Sequence, residues 1–186
     1  MTLSNQSGLN RCIVVMGVSG SGKSSVAEQL AERCNAVFID GDDLHPAHNI
    51  EKMAKGEPLT DEDRAPWLHE ICAQSNKYLA SGEDVVVVCS ALKYSYRHVF
   101  RQHIANLTFV FLQGDYTLIE KRMTARQGHF MKAGMLKSQF ETLEPPDEMA
   151  EYGEGDITPW MRRAPRGVRP CEGARLRWRH AEWTWF

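Results

Sequence analysis

The stretch GVSGSGKS at residues 17–24 decides the fold, and it directly follows the apolar run CIVVM at residues 12–16. It fits the pattern G-x-x-x-x-G-K-[ST], in which a glycine-rich loop joins a buried strand to a helix. Glycines allow successive backbone N–H groups to point into one concavity, and the N-terminus of the helix adds its positive dipole end. The stretch therefore predicts a site for nucleotide phosphates. The alternative interpretation is a plain Gly/Ser turn between a strand and a helix.

Each residue type in this loop has an expected role. Lys23 is expected to reach the β- and γ-phosphates of a nucleotide, and the Ser24 hydroxyl is expected to be a ligand of Mg²⁺. The chain lacks the N-K-x-D motif with which GTPases select their base. A GTPase is therefore disfavoured, although the loop alone does not separate a kinase from a motor ATPase. The residues predicted to bind the nucleotide are Gly17, Val18, Ser19, Gly20, Ser21, Gly22, Lys23, Ser24 and Ser25.

Outward from the loop, apolar runs alternate with helical patterns. Strands are predicted at residues 12–16, 36–39, 85–89 and 107–112. Helices are predicted at residues 24–34, 67–80, 95–104 and 115–126, with a polar, irregular segment at 40–63. This alternation predicts a parallel sheet with right-handed crossovers and helices on both faces, which is a three-layer α/β/α fold of the P-loop NTPase type.

Composition argues against several classes of function. The chain has 186 residues and a net charge of −2, as expected of one globular domain with no bulk attraction for nucleic acid or anionic membranes. No apolar run is long enough to span a bilayer, and the segment from Met1 to Asn10 lacks the features of a signal peptide. The five cysteines include no C-x-x-C pair. A cytoplasmic location is the simplest expectation.

The candidate acidic residues of the site follow the second predicted strand. The run VVVVC at residues 85–89 ends without an acid, whereas Asp40, Asp42 and Asp43 follow residues 36–39. Carboxylates at that position face the phosphate loop from the C-terminal edge of the sheet, where ligands bind in open α/β folds. We predict functional roles for Asp40 and Asp42 and a capping or surface role for Asp43. The alternative is that Asp-Gly-Asp-Asp only forms a turn.

At this point the sequence resembles the gluconokinases, small P-loop kinases with the architecture of adenylate and shikimate kinases. The matching stretches are MGVSGSGKS, DGDDLHPAHNIEKMAKGEPLTDEDRAPWL, VVVVCSALKYSYR and ARQGHFMKAGMLKSQFETLEPP, within residues 16–146. The resemblance implies transfer of the ATP γ-phosphate to the 6-hydroxyl of D-gluconate. It also suggests a homodimer. The nearest rival hypotheses are another small-molecule kinase, such as a shikimate kinase, and a nucleotide-binding protein without catalysis.

Gluconate is an anion covered with hydroxyl groups, so its site needs a cation and several polar groups. The candidate partners of its carboxylate are Arg64, Lys93 and Arg97. By resemblance, Asp42 contacts the acceptor hydroxyl and Asp40 the water shell of Mg²⁺. His45 and Asn49 are plausible partners for other hydroxyls, although a histidine beside a proline is as often a turn or surface residue.

The resemblance also implies a lid, at about residues 122–140, that closes over the phosphates. Arg126 is the predicted catalytic contact to the transferred phosphate, and Arg122 is a second nucleotide contact. A solvated helix face would explain both arginines equally simply. His129 and Gln139 are weaker candidates for contact with the substrate when the lid closes.

The end of the chain departs from the family's pattern. We assign residues 1–148 to the kinase domain and 149–186 to an atypical tail, disordered or read out of frame. Seven arginines and four of the five tryptophans lie between Glu151 and Phe186, and that segment shows no clear strand. The final strand and helix of the family are therefore expected to be missing or replaced, which would leave residues 107–112 as an unpaired edge.

Overall fold

The computed structural model describes residues 10–125, 133–146 and 175–177. The first half of the chain forms β1 (Cys12–Met16), α1 (Lys23–Cys34), β2 (Val37–Asp40), a 3₁₀ turn (Gly41–Leu44), α2 (Ala47–Ala54) and α3 (Asp61–Ala80). The second half forms β3 (Val85–Val88), α4 (Tyr94–His103), β4 (Leu107–Gln113), α5 (Tyr116–Ala125), α6 (Ala133–Thr142) and β5 (Arg175–Arg177).

The sheet has five strands in the order β2-β3-β1-β4-β5. β1 lies at its centre and pairs in parallel with both β3 and β4, and β2 pairs in parallel with β3. The four parallel strands therefore present their carboxyl ends at one edge. The loops that follow β1, β2 and β3 meet at that edge, where open α/β sheets bind ligands.

Helices cover both faces of the sheet, as the alternating pattern predicts. Val14 and Met16 of β1 pack with α3 and α4, in a core that includes Phe100. Ile13 and Val15 of the same strand face the opposite side and pack against α1. Because successive side chains of a strand point to opposite faces, a strand buried on both faces reads as one continuous apolar run. The predicted α/β/α fold class is confirmed.

A third, smaller cluster lies beyond the end of the sheet. We call it the junction cluster: Val18 of the phosphate loop, Leu92 of the loop after β3, Ile119 of α5 and Leu136 of α6. All four side chains are at most 7% exposed. The cluster joins two ligand-facing loops to the helices of the predicted lid.

The start of α3 differs from the prediction, because the helix begins at Asp61 and not at Trp67. Thr60 caps it: the Thr60 hydroxyl accepts from the Asp63 N–H at 3.2 Å, and the Asp63 carboxylate accepts from the Thr60 N–H at 2.9 Å. This capping box is a known start signal. Pro66 is tolerated inside the helix, five residues after its first residue, although it removes one backbone donor.

The edge of the sheet also differs from the prediction. Residues 175–177 form β5, which pairs antiparallel with β4 through Phe111 to Gln113. The expectation that β4 would be an unpaired edge is therefore wrong for its C-terminal half. The sequence at β5 is Arg-Leu-Arg, whose alternation is too short to predict a strand. The rest of the atypical tail, at residues 149–174 and 178–186, lies outside the described residues.

None of the helices in the described part of the chain combines the length and the hydropathy that a bilayer-spanning segment requires.

Candidate active site

The phosphate loop forms a tight turn between β1 and α1. Gly17 has a φ of 139°, a value that favours glycine, and a Cβ added there would lie 2.7 Å from the carbonyl oxygen of Leu112. Gly22, the residue before α1, adopts the left-handed conformation with a φ of 97°. The loop can therefore take this shape only with glycine at these positions. Helix α1 begins at Lys23, so the N–H groups of its first turn face the loop.

Lys23 folds back over the loop, and its Nζ donates to the carbonyl oxygen of Val18 at 3.0 Å. Burial lowers the pKa of Lys23, while the nearby charges of Asp42 and Asp40 oppose that effect. The hydroxyl of Ser21 is buried without a hydrogen-bond partner among the described residues. Buried polar groups are normally paired. A phosphate loop with an unpaired Ser21 hydroxyl and the Lys23 ammonium therefore fits an anion with several acceptor oxygens.

Asp40 and Asp42 stand at the end of β2, across β3 from the phosphate loop. Asp40 caps the following turn, because its Oδ1 accepts from the Asp42 N–H at 3.0 Å. Burial raises the pKa of Asp40, against the opposite effect of that hydrogen bond. The Asp42 side chain is 82% exposed, so its oxygens are open to a ligand. Asp43 is exposed as well, in agreement with its predicted surface role.

The donors for Mg²⁺ are few. No group of three or more His, Cys, Asp or Glu side chains within the described ranges could hold a metal ion by itself. Mg²⁺ with nucleotides, however, usually takes one or two protein oxygens and completes its shell with phosphate oxygens and waters. The predicted ligand Ser24, exposed at the start of α1, and the carboxylate of Asp40 are oxygen donors of that kind. The residues present therefore fit Mg²⁺ bound together with a nucleotide.

His45 is packed beside Asp42. Its ring stacks on Trp67 with centroids 4.1 Å apart, and its side chain is only 6% exposed. Asn49 Nδ2 donates to the carbonyl oxygen of Asp63 at 2.9 Å and lies 3.3 Å from His45 Nδ1. That amide orientation makes Nδ1 an acceptor, which leaves the proton of a neutral ring on Nε2, 3.9 Å from Asp42 Oδ1.

The protonation state of His45 follows from its surroundings. Burial, with a further contribution from the charge of Arg64, lowers the pKa of His45 to about 4. The imidazole is therefore neutral at neutral pH and turns an N–H toward the Asp42 carboxylate. The sequence expectation for Asn49 needs correction, because Asn49 has no exposed surface and holds the His45 ring and the start of α3 in place.

Trp67 is a functional candidate that the sequence analysis missed. Its Nε1 donates to the carbonyl oxygen of Gly41 at 2.6 Å, directly beside Asp42. A Cβ added at Gly41 would lie 2.5 Å from the carbonyl oxygen of Val88, so the turn lies flat against β3. Trp67 was assigned only to a helix face. A buried tryptophan needs a partner for its N–H, and that requirement was the available signal.

Lys93 and Arg64 both lie near the ring of Tyr96, with the Lys93 Nζ 5.5 Å and the Arg64 Cζ 5.7 Å from the ring centroid. Lys93 is paired with Asp61, since its Nζ lies 2.8 Å from both carboxylate oxygens, and the Tyr96 hydroxyl donates to Asp61 at 2.5 Å. These hydrogen bonds lower the pKa of Asp61, and the bond to Asp61 raises that of Lys93. The guanidinium of Arg64 donates to the carbonyl oxygens of Leu59 and Thr60.

Two of the predicted cations are therefore close together, and a carboxylate of the protein already occupies one of them. Asp61 and Tyr96 were not predicted. The TDEDR run around Asp61 gave a signal for a helix start, but no sequence pattern pairs Asp61 with a lysine 32 positions away.

Arg97 is placed differently from the prediction. It has no exposed surface, and its guanidinium donates to the carbonyl oxygens of Ala91 at 2.9 Å and Leu92 at 3.0 Å. Ala91 itself has a φ of 43°, a strained value for a residue with a side chain. Arg97 thus fixes the loop that carries Lys93, and a ligand could reach it only if that loop opened.

The predicted lid is partly described. Gln139 on α6 contacts the phosphate loop, since its Oε1 accepts from the Ser19 N–H at 2.7 Å. Arg122 lies on α5 and is half-exposed. Arg126 and His129 lie outside the described residues.

Comparison with known proteins agrees with this arrangement. Residues 12–146 match the family described as AAA domain. The chain is similar to the thermoresistant gluconokinase of Escherichia coli (strain K12), with 52% identity over 133 residues that cover 72% of this chain and 76% of the relative. It is also similar to the gluconokinase of Gluconobacter oxydans (strain 621H), with 46% identity over 138 residues that cover 74% of this chain and 78% of the relative.

A solved structure gives the same result. The crystal structure of a gluconokinase from Sinorhizobium meliloti 1021 is similar at a TM-score of 0.70 and 48% identity, covering 85% of this chain and 91% of that chain. Residues 12–146, the region that the family model matches, include the phosphate loop, the acidic turn after β2 and the loop with Lys93. On these findings, the chain is a kinase that belongs to the gluconokinase family.

Proposed function

We propose that this protein transfers the γ-phosphoryl group of ATP to the 6-hydroxyl of D-gluconate, yielding 6-phosphogluconate and ADP. The observation that carries the proposal is the placement of an exposed carboxylate, Asp42, within electrostatic range of Lys23 at one edge of the sheet. Phosphoryl transfer requires such an arrangement, because the acceptor hydroxyl must approach the γ-phosphate in line. The gluconokinase relatives support gluconate as the acceptor.

The phosphate loop binds the triphosphate. Lys23 exchanges the Val18 carbonyl for phosphate oxygens, and backbone N–H groups of the phosphate loop and the first turn of α1, together with the Ser21 hydroxyl, supply further donors. Ser24 and Asp40 would hold Mg²⁺. When bound, this ion neutralises charge that develops on the phosphate oxygens. Arg126 and Arg122 add positive charge from the lid, a role proposed on the sequence and the family resemblance.

Asp42 orients the acceptor hydroxyl and accepts its proton as the new O–P bond forms. The neutral His45 turns its Nε2–H toward Asp42, and Trp67 fixes the carbonyl of Gly41 beside it. The hydrogen bond from Trp67 fixes the turn that carries Asp42, and positioning is the main contribution that a protein makes to this reaction. His45 can also donate to a gluconate hydroxyl.

The gluconate carboxylate binds Lys93 and Arg64. Arg64 lies beside Tyr96, and Lys93 exchanges its partner Asp61 for the carboxylate of the substrate. Arg97 keeps the Lys93 loop in shape and does not contact the substrate in this proposal. Asn49 holds His45, and His129 closes over the substrate from the lid. A homodimer and a cytoplasmic location belong to the same proposal, on the resemblance alone.

An ADP-release assay with purified protein, ATP and Mg²⁺ tests the function. We expect turnover that depends on D-gluconate and is lost in Lys23→Ala. A panel with shikimate and neutral sugars as acceptors should give little turnover. Turnover with shikimate but not with gluconate would overturn the choice of acceptor. ATP binding without turnover on any acceptor, by a chain that unfolds cooperatively, would overturn the proposed catalysis.

A further inference from the structure

Helix α6 is attached to the phosphate loop by one polar contact. The Oε1 of Gln139 accepts from the Ser19 N–H at 2.7 Å. Ser19 is separated from Gln139 by 120 positions along the chain, so this contact depends on the tertiary fold. The carboxamide holds the tip of the loop that binds the nucleotide. Any change in the loop on nucleotide binding must therefore reach Gln139.

The other end of the same segment is attached to the loop that carries Lys93. The Glu144 N–H donates to the carbonyl oxygen of Leu92 at 2.9 Å, and the Glu144 carboxylate accepts from the Tyr94 N–H. Leu92 and Tyr94 are the two neighbours of Lys93 in the chain. Two hydrogen bonds thus hold the backbone on both sides of the proposed gluconate-binding lysine.

Packing connects the two attachment points. Leu136 on α6 is 2% exposed and belongs to the junction cluster. Its partners there include Val18, the residue before Ser19, and Leu92, the residue before Lys93. Each loop is therefore attached by a hydrogen bond to the segment from α6 to Glu144, and each contributes a side chain to the buried cluster that contains Leu136. Packed interiors shift as units, because voids and overlaps in them are costly.

We infer that the segment Ala133–Glu144 couples the two substrate sites, with Gln139 and Glu144 as its positioning residues. The inference rests on the proposed function. Occupation of the phosphate loop shifts α6 through Gln139, and Glu144 passes the shift to the loop that binds the gluconate carboxylate. Each substrate thereby raises the affinity for the other, since such a coupling is reciprocal.

A direct route between the loops also exists, because the Gly17 N–H donates to the carbonyl oxygen of Ser90 at 3.2 Å. This contact does not involve α6. The experiment must therefore separate coupling through the segment Ala133–Glu144 from coupling through the direct contact, which substitutions within that segment can do.

Calorimetric titration of D-gluconate, with and without saturating Mg·ADP, measures the coupling. For the wild-type protein we expect gluconate affinity to rise at least about fivefold with Mg·ADP. Gln139→Leu and, independently, Glu144→Ala should bring that ratio below about two, while each ligand alone still binds. Lys137→Ala is the matched control, since Lys137 is exposed on the same helix and contacts only Glu141 among the ion pairs described. It should keep the wild-type ratio.

Thermal unfolding of each variant shows whether it is folded, and Glu144→Ala carries the test if Gln139→Leu does not fold. If Mg·ADP leaves the gluconate affinity of the wild-type protein unchanged, the inference is overturned and the proposed function stays intact. If both variants fold and still show the wild-type increase in gluconate affinity with Mg·ADP, the inference is also overturned, in favour of the direct contact between Gly17 and Ser90. If gluconate binds neither with nor without Mg·ADP, the proposed function is overturned, and the inference with it.

Discussion

Replacing His45 should remove a large part of the decrease in the free energy of unfolding that we expect in mild acid. In the folded chain the ring lies between Trp67, Asn49 and the two charged neighbours Arg64 and Asp42. Burial and Arg64 lower the pKa of His45 to about 4, whereas a histidine in the unfolded chain has a pKa of 6.5. Between these values the unfolded state binds more protons than the folded state. The free energy of unfolding must therefore fall as the pH falls.

The size of the effect follows from the two pKa values. From pH 8 to pH 5 the wild-type protein should lose about 2 kcal/mol through His45 alone, and to pH 4 about 3 kcal/mol. In His45→Gln this contribution disappears, although the variant is less stable at pH 8 because the stacking on Trp67 is lost. Burial also raises the pKa of Asp40, but that residue is common to both proteins and cancels in the difference.

Urea denaturation at pH 8, 6 and 5, followed by tryptophan fluorescence, measures this difference. We expect the gap in unfolding free energy between wild type and His45→Gln to shrink by about 2 kcal/mol from pH 8 to pH 5. His98→Gln is the matched control, because it makes the same substitution at an exposed position. A gap for His45→Gln that stays constant over this range would refute the reasoning that the ring is neutral because it is buried.

Three further substitutions test the site. Asp61→Asn removes the carboxylate partner of Lys93, so the KM for gluconate should fall by up to about fivefold in steady-state kinetics. An unchanged or higher KM would contradict the proposal that the gluconate carboxylate replaces Asp61 at Lys93. Gly41→Ala places a Cβ 2.5 Å from the carbonyl oxygen of Val88, and urea denaturation should show a loss of about 1–3 kcal/mol. Trp67→Phe leaves the Gly41 carbonyl without its donor and should cost about 1–3 kcal/mol in the same assay, with a lower kcat. Full stability in either variant would show that the turn tolerates the change.

The fold class was predictable because its signals are local. A strand buried on both faces gives an unbroken apolar run, as at β1 and β3, and the glycine-rich loop fixes the connection to α1. The predicted start of α3 was wrong because the sequence analysis did not identify the capping box at Thr60 and Asp63. A capping box is a local signal, so the start of α3 was available from the sequence.

The contacts between the candidate site residues could not be predicted in the same way. Residue types identified Lys93, Arg64 and His45 as candidates, but their partners come from other elements. Asp61 lies 32 positions from Lys93, and the Trp67 indole reaches back 26 positions to Gly41. No periodicity encodes such pairs. Burial is equally hidden, since Arg97 was predicted to contact the gluconate carboxylate and has no exposed surface in the structure.

The internal partners of the two key lysines bear on how the protein selects an acceptor. Lys23 is bonded to the Val18 carbonyl and Lys93 to the Asp61 carboxylate, so a ligand must replace an existing contact at each position. In the proposed function, gluconate offers a carboxylate in exchange for that of Asp61, so Lys93 keeps a carboxylate partner. A neutral sugar of the same size would either leave that pair intact or separate it without compensation. Selectivity for an anionic acceptor then arises from the cost of separating Lys93 from Asp61, in addition to the attraction of a free cation.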